Sequence, residues 1–126
     1  MNIVVVVLLL IVGFFFMWKK RQEQSVVSLA QEAFQEELAQ QEGVLIDVRT
    51  DKEFQAGHIA GAHHMDVLKR NFKQEVLTLD KDKPIYLYCR SGKRGRMAAN
   101  KLQKMGFEKV VNLSGGISSW TGKLVK

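Results

Sequence analysis

The sequence predicts an α/β fold, a mostly parallel sheet flanked by helices, preceded by one transmembrane helix. Two observations carry this expectation. From residue 26 onward, short apolar runs of β type alternate with amphipathic stretches of helical type. Upstream, residues 3–18 form an apolar run without a single charge. With 126 residues, 46% of them hydrophobic, the chain has enough material for one packed domain and a short appendage.

Residues 3–18, as a helix, rise about 24 Å, somewhat short of a hydrocarbon core of about 30 Å. Met1, Asn2 and the long stems of Lys19 and Lys20 close most of that gap. A cleaved signal peptide needs positive charge before the apolar run and small residues after it. Here the charge follows the run, in Lys19, Lys20 and Arg21, and Trp18 suits a membrane interface. Residues 1–18 therefore read as a retained anchor, 19–25 as a polar juxtamembrane linker and 26–126 as the folded domain.

Val26–Leu29 reads as a short strand. Residues 31–40 place Ala30, Ala33, Phe34 and Leu38 on one helical face, and Gly43 is expected to end that helix. Val44–Val48 has the continuous apolar character of a buried parallel strand. Thr50 with Glu53 forms a capping box that starts a short helix. Gly57 and Gly61 mark a turn into an edge strand near residues 62–65. Residues 68–79 read as one or two short helices, and 80–84 as a polar turn. Ile85–Tyr88 is the next strand, followed by a helix over about 95–105 that stops at Gly106. Residues 109–112 form the last expected strand. Gly115 and Gly116 then lead into a short helix carrying Ile117 and Trp120, with Trp120 in the core.

The formal net charge is +6, but it is spread over helices and loops. Without zinc-ligand spacing or a run mixing aromatic and basic residues, nucleic acid is not an expected partner. The single cysteine rules out an internal disulfide and fits a reducing compartment.

That cysteine lies in the most informative run of the chain, Cys89-Arg90-Ser91-Gly92-Lys93-Arg94. It sits after a strand and just before a helix, among backbone N–H groups that lack helical acceptors. These donors, the helix dipole and three nearby cations all favour an anion at the sulfur. Burial as a small hydrophobe is the alternative, and the flanking charges weigh against it. Cys89 is therefore the candidate nucleophile. Arg90, Ser91, Gly92, Lys93, Arg94 and Gly95 form a candidate anion cradle.

Four linked motifs resemble those of single-domain rhodaneses. They are Leu45-Ile46-Asp47-Val48-Arg49; Glu53-Phe54 with Gly57-His58-Ile59-Ala60-Gly61-Ala62; Tyr88 through Arg94; and Leu113-Ser114-Gly115-Gly116-Ile117-Ser118-Ser119-Trp120. The resemblance covers about residues 26–122, with the motifs in the family's order and spacing. It implies a sulfurtransferase in which Cys89 takes a sulfane sulfur from a small anionic donor such as thiosulfate and passes it to an acceptor. By family position Arg94 faces the bound anion, while Arg90 and Lys93 line the mouth. The chemistry needs no cofactor, because the thiolate itself attacks. Related phosphatase and arsenate reductase domains have a loop of Cys-x5-Arg, one residue longer. Here the shorter spacing lands on Arg94 and suits a single sulfur.

Two positions depart from the family pattern. Gly95 stands where a small hydroxyl residue is common, and Ala60 where a proline is common. Asp47 and Arg49 end a central strand and have a mainly structural role in the family, with catalytic support as the alternative. His58, at a turn, is expected to make a local hydrogen bond. His63 and His64 are adjacent in a strand, so they point to opposite faces, and no metal site is expected. With no second cysteine, sulfur release requires an external thiol, either a small thiol or a thioredoxin-like protein. The competing function is a non-catalytic rhodanese module serving as a thiol or anion sensor or as a membrane docking domain. Basic residues after the span predict a cytoplasmic domain, with the N-terminus outside.

Overall fold

The computed structural model describes residues 1–23 and 26–126. Helix α1 spans Ile3–Glu23. It is long and apolar enough to cross a membrane, and its apolar side chains are exposed, unlike those of a core helix. It runs beyond the expected boundary at residue 18, so the first part of the expected linker is helical. Nothing in Lys19–Glu23 breaks a helix, since Lys, Arg, Gln and Glu are all good helix formers. Gln24 and Ser25, the end of that linker, lie outside the described residues.

The domain follows in the order β1 (Val26–Leu29), α2 (Gln31–Gln40), β2 (Val44–Asp47), α3 (Asp51–Ala56), β3 (His58–Ile59), β4 (His63–His64), α4 (Phe72–Val76), β5 (Ile85–Tyr88), α5 (Lys93–Lys104), β6 (Val110–Leu113), a 3₁₀ turn (Gly116–Ser119) and β7 (Leu124–Val125). Strands β1, β6, β5, β2 and β4 form one sheet in that spatial order, and every pairing in it is parallel. The expected α/β class is therefore what the chain adopts.

Side-chain alternation along the strands divides the core in two. Ile46, Val48, Ile85, Leu87 and Cys89 pack with Ala98, Leu102 and Phe72 on the face covered by α4 and α5. Leu45, Tyr86, Tyr88, Val111 and Leu113 pack with Phe34 on the face covered by α2 and the 3₁₀ turn. Trp120 packs against that second cluster from its edge and is only partly buried.

Three details differ from the sequence reading. Helix α2 ends at Gln40, and the left-handed residue after it is Glu42, with φ 50°. Gly43 serves a different need, since a Cβ there would collide with the Tyr86 ring. Helix α5 starts at Lys93, earlier than expected, because Gly92 caps it directly after the cysteine turn. A second, two-stranded sheet pairs β3 with β7 antiparallel, so the strand at residue 110 is not the last. Strands of two residues carry no readable period.

Candidate active site

Strand β5 delivers Cys89 at its C-terminal end. Because the side chain continues the inward alternation of Ile85 and Leu87, it is only 1% exposed. The burial that the flanking charges weigh against therefore does occur: strand alternation turns the sulfur inward while Arg90 and Lys93 stay in solvent. The chain then folds back over Arg90, Ser91 and Gly92 and enters α5. Gly92 caps the helix at φ 111°, a left-handed conformation that side chains resist, and its N–H donates to Cys89 Sγ at 2.9 Å. The first-turn N–H groups of Lys93, Arg94 and Gly95 have no acceptor within the helix. Helix start and sulfur thus share one small space, where partial positive charge from the backbone meets the thiol.

The 3₁₀ turn holds the loop from outside. The N–H of Ile117 donates to the Cys89 carbonyl at 2.9 Å, and the N–H and hydroxyl of Ser118 donate to the Arg90 carbonyl at 3.0 and 2.7 Å. Gly116 lies against those two carbonyls so closely that no Cβ fits. Gly116 thereby brings the 3₁₀ turn directly onto the cysteine loop.

Gly95 is buried, and the space beside it is filled. The Asn112 side chain, from β6, has its carbonyl oxygen where a Cβ on residue 95 would lie. Asn112 Nδ2 stands 3.5 Å from the Gly92 carbonyl, while its Oδ1 is buried without a hydrogen-bond partner among the described residues. The departure at position 95 thus goes with a strand residue that reaches under the loop.

Arg94 and Glu53 form a two-point pair, with Nη1 to Oε1 at 2.6 Å and Nη2 to Oε2 at 2.9 Å. The Arg94 fork holds the Glu53 carboxyl down at about 2, helped by Thr50 and opposed by burial. Arg94 is raised by the same pair and also feels the charge of Cys89. The expected anion-facing guanidinium is thus near the sulfur, with its fork engaged by a carboxylate. Thr50 and Glu53 also form the expected capping box. Glu53 therefore links the start of α3 to the cysteine loop.

Asp47 and Arg49 close on each other. Arg49 Nη2 meets Oδ2 at 2.7 Å, its Nε reaches both carboxylate oxygens, and its backbone N–H donates to Oδ1 at 2.9 Å. Nη2 also donates to the Gly57 carbonyl at 2.7 Å. Burial disfavours the Arg49 charge, but Asp47 outweighs it and the net shift is upward. Tyr88 Oη accepts from the Ile59 N–H, and burial, reinforced by the Asp47 charge, raises that phenol well above its ordinary range. These groups brace the wall of the site. His58 stacks on the Phe54 ring with centroids 3.7 Å apart, and its Nδ1 lies 2.9 Å from the Phe54 carbonyl, the local contact expected of it. Arg90, Ser91 and Lys93 are exposed. Arg90 stands at a hollow of about 370 Å³ bordered also by Arg49, Glu53, Gly57, Ile117 and Ser118.

Residues 30–123 match the family model of the rhodanese-like domain. The chain belongs to the rhodanese-like domain family. Its rhodanese-like domain is 43% identical over 81 residues to an uncharacterised Bacillus subtilis protein, YqhL, covering 64% of this chain and 62% of that one. It is 34% identical over 100 residues to a putative sulfur carrier protein of the same organism, YrkF, covering 79% of this chain and 53% of that one. The chain therefore spans less than two thirds of the length of either relative. The thiosulfate sulfurtransferase GlpE of Pseudomonas fluorescens is 35% identical over 83 residues, with 66% of this chain and 74% of that one covered. Among solved structures, a rhodanese-like domain from Anabaena superposes with a TM-score of 0.69 at 27% identity, covering 78% of this chain and 77% of that one.

Two contributors to the rhodanese site were not legible as such. Glu53 reads in sequence as a helix cap, and its partner Arg94 is 41 positions away. Asn112 reads as an ordinary strand residue. A polar residue inside the apolar run Val110–Leu113 was the one available signal, since strand burial makes such a residue costly unless it has a task.

Proposed function

We propose that this chain is a membrane-anchored sulfurtransferase with Cys89 as its nucleophile. The Cys89 thiolate attacks the outer sulfur of a thiosulfate-like donor. A new S–S bond forms, the donor's S–S bond breaks, and sulfite leaves with its electron pair. The Cys89 persulfide is held by the backbone N–H groups at the start of α5. A thiolate acceptor then attacks the outer sulfur and releases Cys89 as thiolate. No cofactor takes part. The observation that carries this reading is the Gly92 N–H on Cys89 Sγ at the mouth of a helix. The sulfurtransferase and sulfur-carrier names of the relatives GlpE and YrkF agree with it.

With one cysteine in the chain, the acceptor is external, a small thiol or a thioredoxin-like protein. Helix α1 serves as the anchor. Lys19, Lys20 and Arg21 at its C-terminal end keep that end, and the domain after it, on the cytoplasmic side. A reducing cytosol also protects the free thiol.

The test is intact-mass spectrometry of the full-length protein after exposure to thiosulfate. The expected result is a gain of one sulfur atom on Cys89, lost again on addition of a small thiol. A chain that gains no sulfur overturns the reading. Protease treatment of sealed right-side-out vesicles tests the topology, and digestion of the domain there places it outside.

A further inference from the structure

A second cavity is lined by none of the residues of the cysteine loop. It has a volume of about 560 Å³, between the segment 67–73 and the second half of α5. Five of its lining residues are cationic, Lys69, Arg70, Lys73, Lys101 and Lys104, and none is acidic. Its floor is apolar, made by Val67, Phe72 and Met105, and exposed Leu68 stands at its edge. Lys69 is engaged with Asp51 at 3.0 Å, and Asp66 and Glu75 act on it at longer range. Lys101 stands 6.0 Å from the centre of the Phe72 ring. Arg70, Lys73 and Lys104 have no acidic partner among the described residues. A concave site with an apolar floor and a cationic rim is complementary to an amphipathic anion.

Chain connectivity favours a membrane source for that anion. The parallel register aligns Val26, Val110, Ile85 and Val44 at one end of the sheet. Cys89 follows β5 at the opposite end. Helix α5 starts beside Cys89 and returns the chain toward the Val26 end, where β6 begins. Its last turn, with Lys101 and Lys104, therefore points to the pole at which the chain enters the domain from α1, while the facing residues Val67 and Lys69 are held nearer the cysteine pole by the Val48 carbonyl and by Asp51. The basic flank Lys19, Lys20 and Arg21 precedes that same entry point by a few residues.

We infer that this cavity seats anionic lipid headgroups of the membrane that holds α1. The inference rests on the reading of α1 as an anchor and adds a second contact to it. Basic residues are attracted to an anionic membrane surface, and the anchor supplies the headgroups at high effective concentration.

The experiment uses the full-length chain in nanodiscs of phosphatidylcholine, with or without a minority of phosphatidylglycerol. Amine-reactive acylation is read by mass spectrometry at Lys73, Lys101 and Lys104, with exposed Lys52 on α3 as reference. The expected result is a several-fold loss of acylation at the three cavity lysines in anionic discs only, reversed by high salt, with Lys52 unchanged. The double variant Lys101→Glu/Lys104→Glu should lose the protection at Lys73 and still gain sulfur on Cys89. Equal acylation in both discs, or protection of Lys73 that persists in the double variant, overturns the lipid site while leaving the anchor intact. Equal protection by soluble glycerol phosphate in neutral discs assigns the cavity to a small anion and overturns the lipid source. A chain recovered outside the discs overturns the anchor and this inference together.

Discussion

Two neighbouring strand ends show how the same position in a fold yields different properties. Strands β2 and β5 are paired in register, and each ends in a charged turn at the same pole of the sheet. After β2, Asp47 and Arg49 pair with one another; their side chains are 0% and 7% exposed, and Nη2 also donates to the Gly57 carbonyl. After β5, the sulfur has one short backbone donor, and Arg90 and Lys93 stand in solvent. Charges that saturate each other build a wall. The exposed cations and backbone donors after β5 are those that the proposed anion site would use. Arg94 is intermediate, near the sulfur but held by Glu53.

The sharpest way to break the contrast is to remove the nucleophile. Cys89→Ser should abolish sulfur transfer from thiosulfate with thermal unfolding little changed, because the hydroxyl is nearly isosteric but a poor nucleophile at neutral pH. A variant that keeps a substantial share of the rate refutes the role of Cys89.

The β2 end should respond in the opposite way, in stability rather than chemistry. Asp47→Ala leaves Arg49 buried with a single carbonyl acceptor and should cost about 3–5 kcal/mol. Urea unfolding measures it. A loss no larger than that of an exposed charge would show that the wall tolerates an open valence.

Gly95 and Asn112 sharpen the comparison inside the loop. Gly95→Ala forces a Cβ onto the Asn112 oxygen and should cost about 1–3 kcal/mol. In the double variant Gly95→Ala/Asn112→Ala the collision is absent, so the two changes should couple by at least about 0.5 kcal/mol. Strict additivity would mean that the two residues do not compete for one space.

The smallest effect is expected at Glu53. Its carboxyl titrates at about 2 in the folded protein, below the ordinary 4.5, because Arg94 favours the anion. A depressed carboxyl stabilises the fold above its unfolded pKa, and that contribution fades as pH falls toward the folded value. Glu53→Gln should therefore cost about 1–2 kcal/mol at neutral pH, with the gap to the unaltered protein narrowing between about pH 4.5 and pH 2. A gap that is independent of pH would assign the loss to capping alone. The same variant frees the Arg94 fork, so a lower KM for thiosulfate is the expected kinetic companion.

The sequence by itself determined the order of strands and helices, the capping box at Thr50 and Glu53, the placement of Cys89 between a strand and a helix, and the charge-free run that becomes α1. Each of these depends on neighbours within one turn or one strand, where apolar spacing and backbone chemistry act locally. Tertiary structure alone decided that Glu53 engages Arg94, that Asn112 fills the space beside Gly95, that β7 returns to pair with β3, and that Lys101 and Lys104 share a cavity with Arg70 and Lys73. Those relations join positions far apart in the chain. In the five-stranded sheet, parallel pairing brings the strands' C-terminal ends to one pole and sends the crossover helices back to the other, while β7 reaches β3 in a separate antiparallel pair.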